Sequence, residues 1–167
     1  MACRELSEIL STLEKSIVEA FKKVFGENLV SVALFGSYAR GDFNENSDID
    51  VLVVLKSVVD RYVLHKELDR VEEELKSFFT CLNQHGYYPQ ISPIVLSEEN
   101  AKKTRPLYLD IVFDAKILYD TNSLLSSVFS KIRRKLEEYN AGRVRVGKKW
   151  VTLLKRNYKF GEVIDFE

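Results

Sequence analysis

Apolar residues recur at intervals of three and four over residues 4–25, at Leu6, Ile9, Leu10, Leu13, Ile17, Ala20, Phe21 and Val24. That spacing predicts an amphipathic helix, with Gly26 as its C-cap. The period then changes. Residues 29–35 (LVSVALF) and 51–55 (VLVVL) are apolar runs of strand length, predicting two buried strands joined through a polar loop at 42–47. Helical spacing returns over residues 58–82 through Leu64, Leu68, Val71, Leu75, Phe78 and Phe79. Asp69, Glu72, Glu73 and Glu74 fall on the other side as a solvated acidic face. Residues 90–96 predict a third strand, which Pro89 and Pro93 place at an edge or a bulge. Ser97 reads as the N-cap of a short helix ending near Pro106. Residues 109–113 and 116–119 predict a tight hairpin or bent strand around Asp114-Ala115. A further amphipathic helix is expected over 122–140, and a short β-hairpin or extended arm after Arg143. The fold class is α/β (α+β). One domain is expected over residues 1–140, with 141–167 a basic tail packed on it.

The junction between the first two strands concentrates the candidate chemistry. Gly36-Ser37-Tyr38-Ala39-Arg40-Gly41-Asp42 follows the first, and Ser47-Asp48-Ile49-Asp50-Val51 opens the second. A Gly-Ser turn allows close backbone approach and presents amide donors suited to a polyphosphate. Strand side chains alternate, so Asp48 and Asp50 should project from one face. Two carboxylates so close raise at least one pKa unless a cation stands between them. A few carboxylates together with substrate phosphates are the usual setting for magnesium.

The combination G-S-Y-A-R-G and S-D-I-D-V resembles the signature of the nucleotidyltransferase superfamily that includes DNA polymerase beta, and is most similar to its minimal archaeal and bacterial members. The resemblance covers residues 31–55 closely, and the rest only in the order of elements. It implies a mixed, mainly antiparallel sheet with helices packed mainly on one face. It also implies transfer of a nucleoside monophosphate, AMP from ATP first among them, to a hydroxyl on a protein or RNA. By the resemblance Asp48 and Asp50 hold Mg2+, while Gly36, Ser37, Arg40 and Ser47 lie on the nucleotide side. Arg40 could equally pair with Asp42. Minimal members often work beside a helical HEPN-type partner, as antitoxins that attach AMP to the toxin.

Active members also carry a third carboxylate on a later core strand, serving as metal ligand and base. Residues 88–96 contain none; Gln90 or Ser92 would occupy the place, and Asp110 is the nearest acidic candidate. Its absence would leave a weak or inactive nucleotide-binding regulatory subunit as the alternative.

Composition changes the picture in one respect. The 167 residues carry 25 basic and 25 acidic side chains, yet residues 131–160 hold eleven basic against two acidic, a net of +9. Such asymmetry points this end toward an anion: RNA, an acidic partner, or another copy of the chain as a homodimer. Trp150, Tyr139, Tyr158 and Phe160 interleave with the basic residues, which suits nucleic acid, although a solvated basic surface would look the same. Tyr87, Tyr88 and Tyr108 read as sheet-margin packing or as base-stacking candidates. No signal peptide or membrane span is read, and Cys3 and Cys81 make no disulfide framework or zinc site, so the cytoplasm is the expected location.

Overall fold

The structure, a computed structural model, describes residues 5–58, 60–147, 149–155, 157 and 159–164. Cys3, Lys148, Arg156 and Tyr158 lie outside the described residues. The first predicted helix is in fact two, α1 (Leu6–Ser11) and α2 (Leu13–Phe25), parted at Thr12, whose hydroxyl donates to the Ile9 carbonyl at 2.8 Å. Strand β1 (Leu29–Phe35) leads into the short α3 (Gly36–Arg40), and β2 (Ile49–Leu55) follows the polar loop. Helix α4 (Arg61–Gln84) starts at Asp60, whose carboxylate accepts the Tyr62 N–H at 2.8 Å. It crosses over to β3 (Ile91–Ser97), which lies parallel to β2, because parallel neighbours need such a long connection. Then come α5 (Glu98–Ala101), α6 (Pro106–Ile111), β4 (Lys116–Asp120) and α7 (Leu124–Glu138). A hairpin of β5 (Gly142–Val146) and β6 (Lys149–Leu153) follows.

The main sheet has the order β3-β2-β1-β4, with β1 antiparallel to both neighbours, so it is mixed as expected. Pro93 sits on the edge strand β3, where a missing N–H costs no ladder bond. Ser97 accepts the Asn100 N–H at 3.2 Å and caps α5. Among the described residues no helix is long and apolar enough to cross a membrane.

Two expectations are corrected. Helices cover both faces of the sheet, not mainly one. Ile17 and Phe21 of α2 with Val71 and Leu75 of α4 pack on Val32, Leu34, Val51 and Val53. Tyr108, Ile111, Leu125, Phe129 and Ile132 pack on the opposite side against Ala33, Leu52 and Val54. Every residue of β1 is buried, and a strand apolar on both faces needs cover on both.

Residues 109–111, expected in a strand, belong to α6. Pro106 begins this helix instead of ending the one before, because its missing N–H is not needed in a first turn. Tyr108, Ile111 and Val112 then fall three and four apart and bury in the core, the Tyr108 hydroxyl donating to the Ala101 carbonyl at 3.0 Å.

Candidate active site

The ends of β1 and β2 nearest α3 build the site. Phe35, the last residue of β1, is in register with Asp50. Gly36 follows at φ +71, and a Cβ there would lie 2.2 Å from Asp50 Oδ2. The Gly-Ser turn and the carboxylate therefore touch at a distance that only glycine permits. The Ser37 carbonyl accepts the N–H groups of Gly41 at 2.8 Å and Asp42 at 3.1 Å, closing the turn. Ser47 closes the next one: its hydroxyl accepts the Asn44 N–H at 2.9 Å, and its own N–H donates to the Asn44 carbonyl at 3.1 Å. Chain direction into Asp48 is set there.

Asp48 precedes β2, and its Oδ1 accepts the Gln90 N–H at 3.4 Å. Asp50 alternates with Leu52 and Val54, so its side chain lies on the α6–α7 side of the sheet. Its pKa is raised, first by burial and also by the negative charge of Asp48; a hydrogen bond from Ser92 and the charge of Arg40 oppose the rise. Ser92 is the β3 residue in register with Asp50. The place where a third carboxylate was sought thus holds a hydroxyl. Gln90 is exposed at the edge beside it, and its carbonyl accepts the Ile49 N–H at 2.8 Å.

The structure does not bring Asp110 to the pair. It is exposed on α6, and its Oδ1 accepts the Thr152 hydroxyl of the hairpin at 2.7 Å. Among the described residues no group of three or more His, Cys, Asp or Glu side chains is arranged to hold a metal.

Arg40 pairs with Asp42, and with a second carboxylate as well. Its Nε donates to Asp42 at 3.1 and 3.2 Å, and its Nη1 donates to Asp114 Oδ2 at 2.9 Å. The Arg40 guanidinium holds the Asp42 carboxyl below its ordinary range, and a hydrogen bond from Trp150 adds to that. Asp114 also pairs with Arg143, whose guanidinium lies 5.6 Å from the Phe113 ring centroid and 5.4 Å from that of Trp150. Asp42, Arg40, Asp114 and Arg143 thus tie the end of α3 to the C-terminal hairpin. Sequence reasoning did not place Asp114 or Arg143 near the site. The links join residues 74 and 29 positions apart, and neither leaves a local pattern.

An aromatic wall completes the surroundings. Tyr38 stacks on Phe43 at 4.3 Å between centroids, and Phe43 meets Tyr87 edge-on at 5.9 Å. Burial, with Tyr87 and Asp48 nearby, pushes the Tyr38 phenol up to about 12. Among the described residues its hydroxyl is buried without a hydrogen-bond partner. Tyr88 is exposed, and Tyr108 is a core residue.

These residues suit a hard divalent cation. Two carboxylates repel each other, one is half-buried and held above its ordinary range, and the Arg40 guanidinium is committed to two other carboxylates. The site is short of positive charge and offers oxygen donors.

The chain matches the family model described as "Nucleotidyltransferase domain" over residues 10–160. It belongs to that family and is a transferase enzyme of the class. The relative named "Putative protein adenylyltransferase MJ1305" from Methanocaldococcus jannaschii is 31% identical over 129 residues, 75% of this chain and 82% of that protein. Another from the same organism, "Putative protein adenylyltransferase MJ0141", is 44% identical over 54 residues, 32% of this chain and 50% of its own length. The solved structure described as "Crystal structure of the toxin-antitoxin with AMP-PNP" is 18% identical with a TM-score of 0.48, covering 76% of this chain and 92% of that one.

Proposed function

We propose that the protein transfers AMP from ATP to an acceptor hydroxyl, with Mg2+ held by Asp48 and Asp50. The observation that carries this reading is the close approach of Gly36 to Asp50, which sets the Gly-Ser turn directly against a carboxylate held above its ordinary range. Membership of the nucleotidyltransferase family and the adenylyltransferase names of its relatives support it. In the reaction the acceptor hydroxyl gives up its proton to water and its oxygen bonds to the α-phosphorus, while the bond from phosphorus to the bridging oxygen breaks and pyrophosphate leaves. The chain's part is positioning. Gly36 and Ser37 hold phosphate oxygens at the turn, Ser47 fixes the loop that delivers Asp48, and Arg40 anchors the end of α3. The metal, when bound, offsets the charge that builds on the phosphates.

A second reading rests on Ser92. A hydroxyl beside Asp50 cannot act as a base at neutral pH, which favours slow transfer or a regulatory, antitoxin-like role in nucleotide binding. On the family resemblance, a HEPN-type helical protein is the first acceptor to try.

The test uses ATP labelled at the α-phosphate, with Mg2+, offered in parallel to protein and RNA acceptors. Transfer that requires Asp48 supports the enzyme reading. Nucleotide binding without transfer, with transfer appearing in Ser92→Asp, supports the second. Absence of both binding and transfer removes the assignment of this site.

A further inference from the structure

A strongly basic cleft apart from the carboxylate pair is left unused by the reading above. It lies between α7 and the connection from α5 to α6, and has a volume of about 820 Å³. Among the described residues its charged lining is Lys102, Lys103, Lys131, Arg134 and Lys135, with Glu138 the single carboxylate. Val128 and Ile132 lie between these charges on the α7 side.

We infer that this cleft binds the phosphate backbone of a single-stranded nucleic acid. Sequence and geometry contribute separately. Positions 128, 131, 135 and 138 of α7 are three or four apart, so they share one helix face and repeat at about 5–6 Å. Lys131 and Lys135 therefore stand one turn apart on that face, between Val128 and Glu138, with Arg134 beside them. Lys102 and Lys103 form the opposite wall and are paired with Glu98 at 2.8 Å and Glu99 at 3.0 Å. Both lysines and Glu99 are well exposed and Glu98 is partly so, and such i,i+4 pairs near the surface are weak enough to be exchanged for phosphate. Among the described residues neither Lys131 nor Arg134 is held in an ion pair.

A charged groove that tracks a backbone is how single strands are held without regard to sequence. The concave shape favours a strand over the convex acidic face of a folded protein. Ile132 shares its core cluster with Leu52 and Val54, the β2 residues that alternate with Asp50. A strand in the cleft would thus lie on the side of the sheet toward which Asp50 projects. The proposal does not rest on the transfer reading, because binding is measured without nucleotide or metal.

Fluorescence anisotropy of labelled single-stranded RNA and DNA oligomers, in EDTA, tests it on the full chain. If about four phosphates are engaged, affinity falls roughly fiftyfold from about 50 to 200 mM salt. The exposed double variant Lys131→Ala, Arg134→Ala should lower the slope of log affinity against log salt by about 1.4, the expected loss of two contacts. Glu138→Gln should tighten binding, a gain that no folding defect can imitate. Binding of either oligomer with these changes supports the cleft, and RNA against DNA tells which source supplies the backbone. No binding, a slope unmoved in the double variant, or displacement by polyglutamate as effective as by unlabelled oligomer would overturn it.

Discussion

Two aspartates on the same sheet meet opposite electrostatic fates. Asp120, the last residue of β4, lies at the end of the sheet where β1 begins. It accepts the Ser31 hydroxyl at 2.6 Å, the Leu125 N–H at 3.0 Å, the Ser126 N–H at 2.9 Å and the Ser126 hydroxyl at 2.7 Å. Burial alone would raise its pKa, but these donors outweigh it and hold the carboxyl low. Asp50, at the end of the sheet where β1 finishes, is raised by burial and by a second carboxylate, with the Ser92 hydroxyl as its counterweight. The difference separates a carboxylate satisfied by structural donors from one whose charge is penalised where it stands, as a proposed metal ligand would be. Asp120 is saturated with donors that also cap the first turn of α7, whereas at Asp50 the Ser92 hydroxyl and the Arg40 charge do not offset burial and the neighbouring Asp48.

The largest effect expected from this contrast is on transfer. Asp48→Asn removes one of the two charges proposed to hold the metal, and a metal is worth several kcal/mol to a transferring phosphoryl group. The rate should fall by about a thousandfold or more, with the melting temperature unchanged or slightly raised. An active Asp48→Asn protein would show that the pair is not the metal site.

Asp120→Ala should do the reverse. It strips the cap from α7 and leaves the fully buried Ser31 hydroxyl without an acceptor. A lost cap costs about 0.5–2 kcal/mol and an unsatisfied buried group about 1–3, so together about 2–4 kcal/mol is expected. For a chain of this length that is a melting temperature lower by roughly 5–15 °C. Transfer measured well below the melt should stay within a fewfold of the parent. Loss of transfer in the folded variant would break the division between the two carboxylates.

Gly36→Ala is expected to act less on stability and more on the site. The residue adopts φ +71, which costs an L-residue roughly 1–2 kcal/mol. The new methyl would also collide with Asp50 Oδ2. Nucleotide affinity, read by titration with a non-hydrolysable ATP analogue and Mg2+, should drop with the carboxylate displaced. A variant that binds as tightly as the parent would separate the turn from the carboxylate.

What could be read in the sequence follows the range of the interactions. Gly36 and Ser37 are adjacent and Asp48 and Asp50 lie two apart, and the apolar runs beside them read as buried strands, so the candidate site's frame was legible. Ser31 was not: inside an apolar run it reads as a tolerated small residue, and its partner lies 89 positions away. Asp114 and Arg143 gave no signal for the same reason. Residues 109–111 were misread because Leu-Asp-Ile alternates like a strand, and because Pro106 can end one helix or begin another. Asp110 was drawn toward the site by that strand assignment; on α6 it meets Thr152 instead. The two faces of cover were also implied by the unbroken apolar runs, since a strand facing solvent on one side would alternate.

The smallest effect expected is also the most discriminating, because it differs in sign. A group whose folded pKa is lowered stabilises the fold above its ordinary pKa, and the contribution is lost as pH falls through the folded value. That describes Asp120. A carboxyl whose folded pKa is raised binds its proton more tightly when folded, so its contribution is present at low pH and fades as pH rises through the raised value. That describes Asp50 without metal. Thermal melts in EDTA, as a function of pH, should therefore diverge for the two amide variants. Asp50→Asn should match the parent in acid and exceed it by a few degrees near neutrality. Asp120→Asn should fall below the parent near neutrality, with the deficit shrinking as pH drops below about 4, where the unfolded carboxyl gains its proton. Replacing EDTA by Mg2+ should raise the parent's melt and erase the advantage of Asp50→Asn, since a cation that binds only the folded pair supplies the missing charge. Difference curves of the same sign would mean that donors and burial are balanced alike at both ends of the sheet, and that the strain at Asp50 is not the mark of a ligand site.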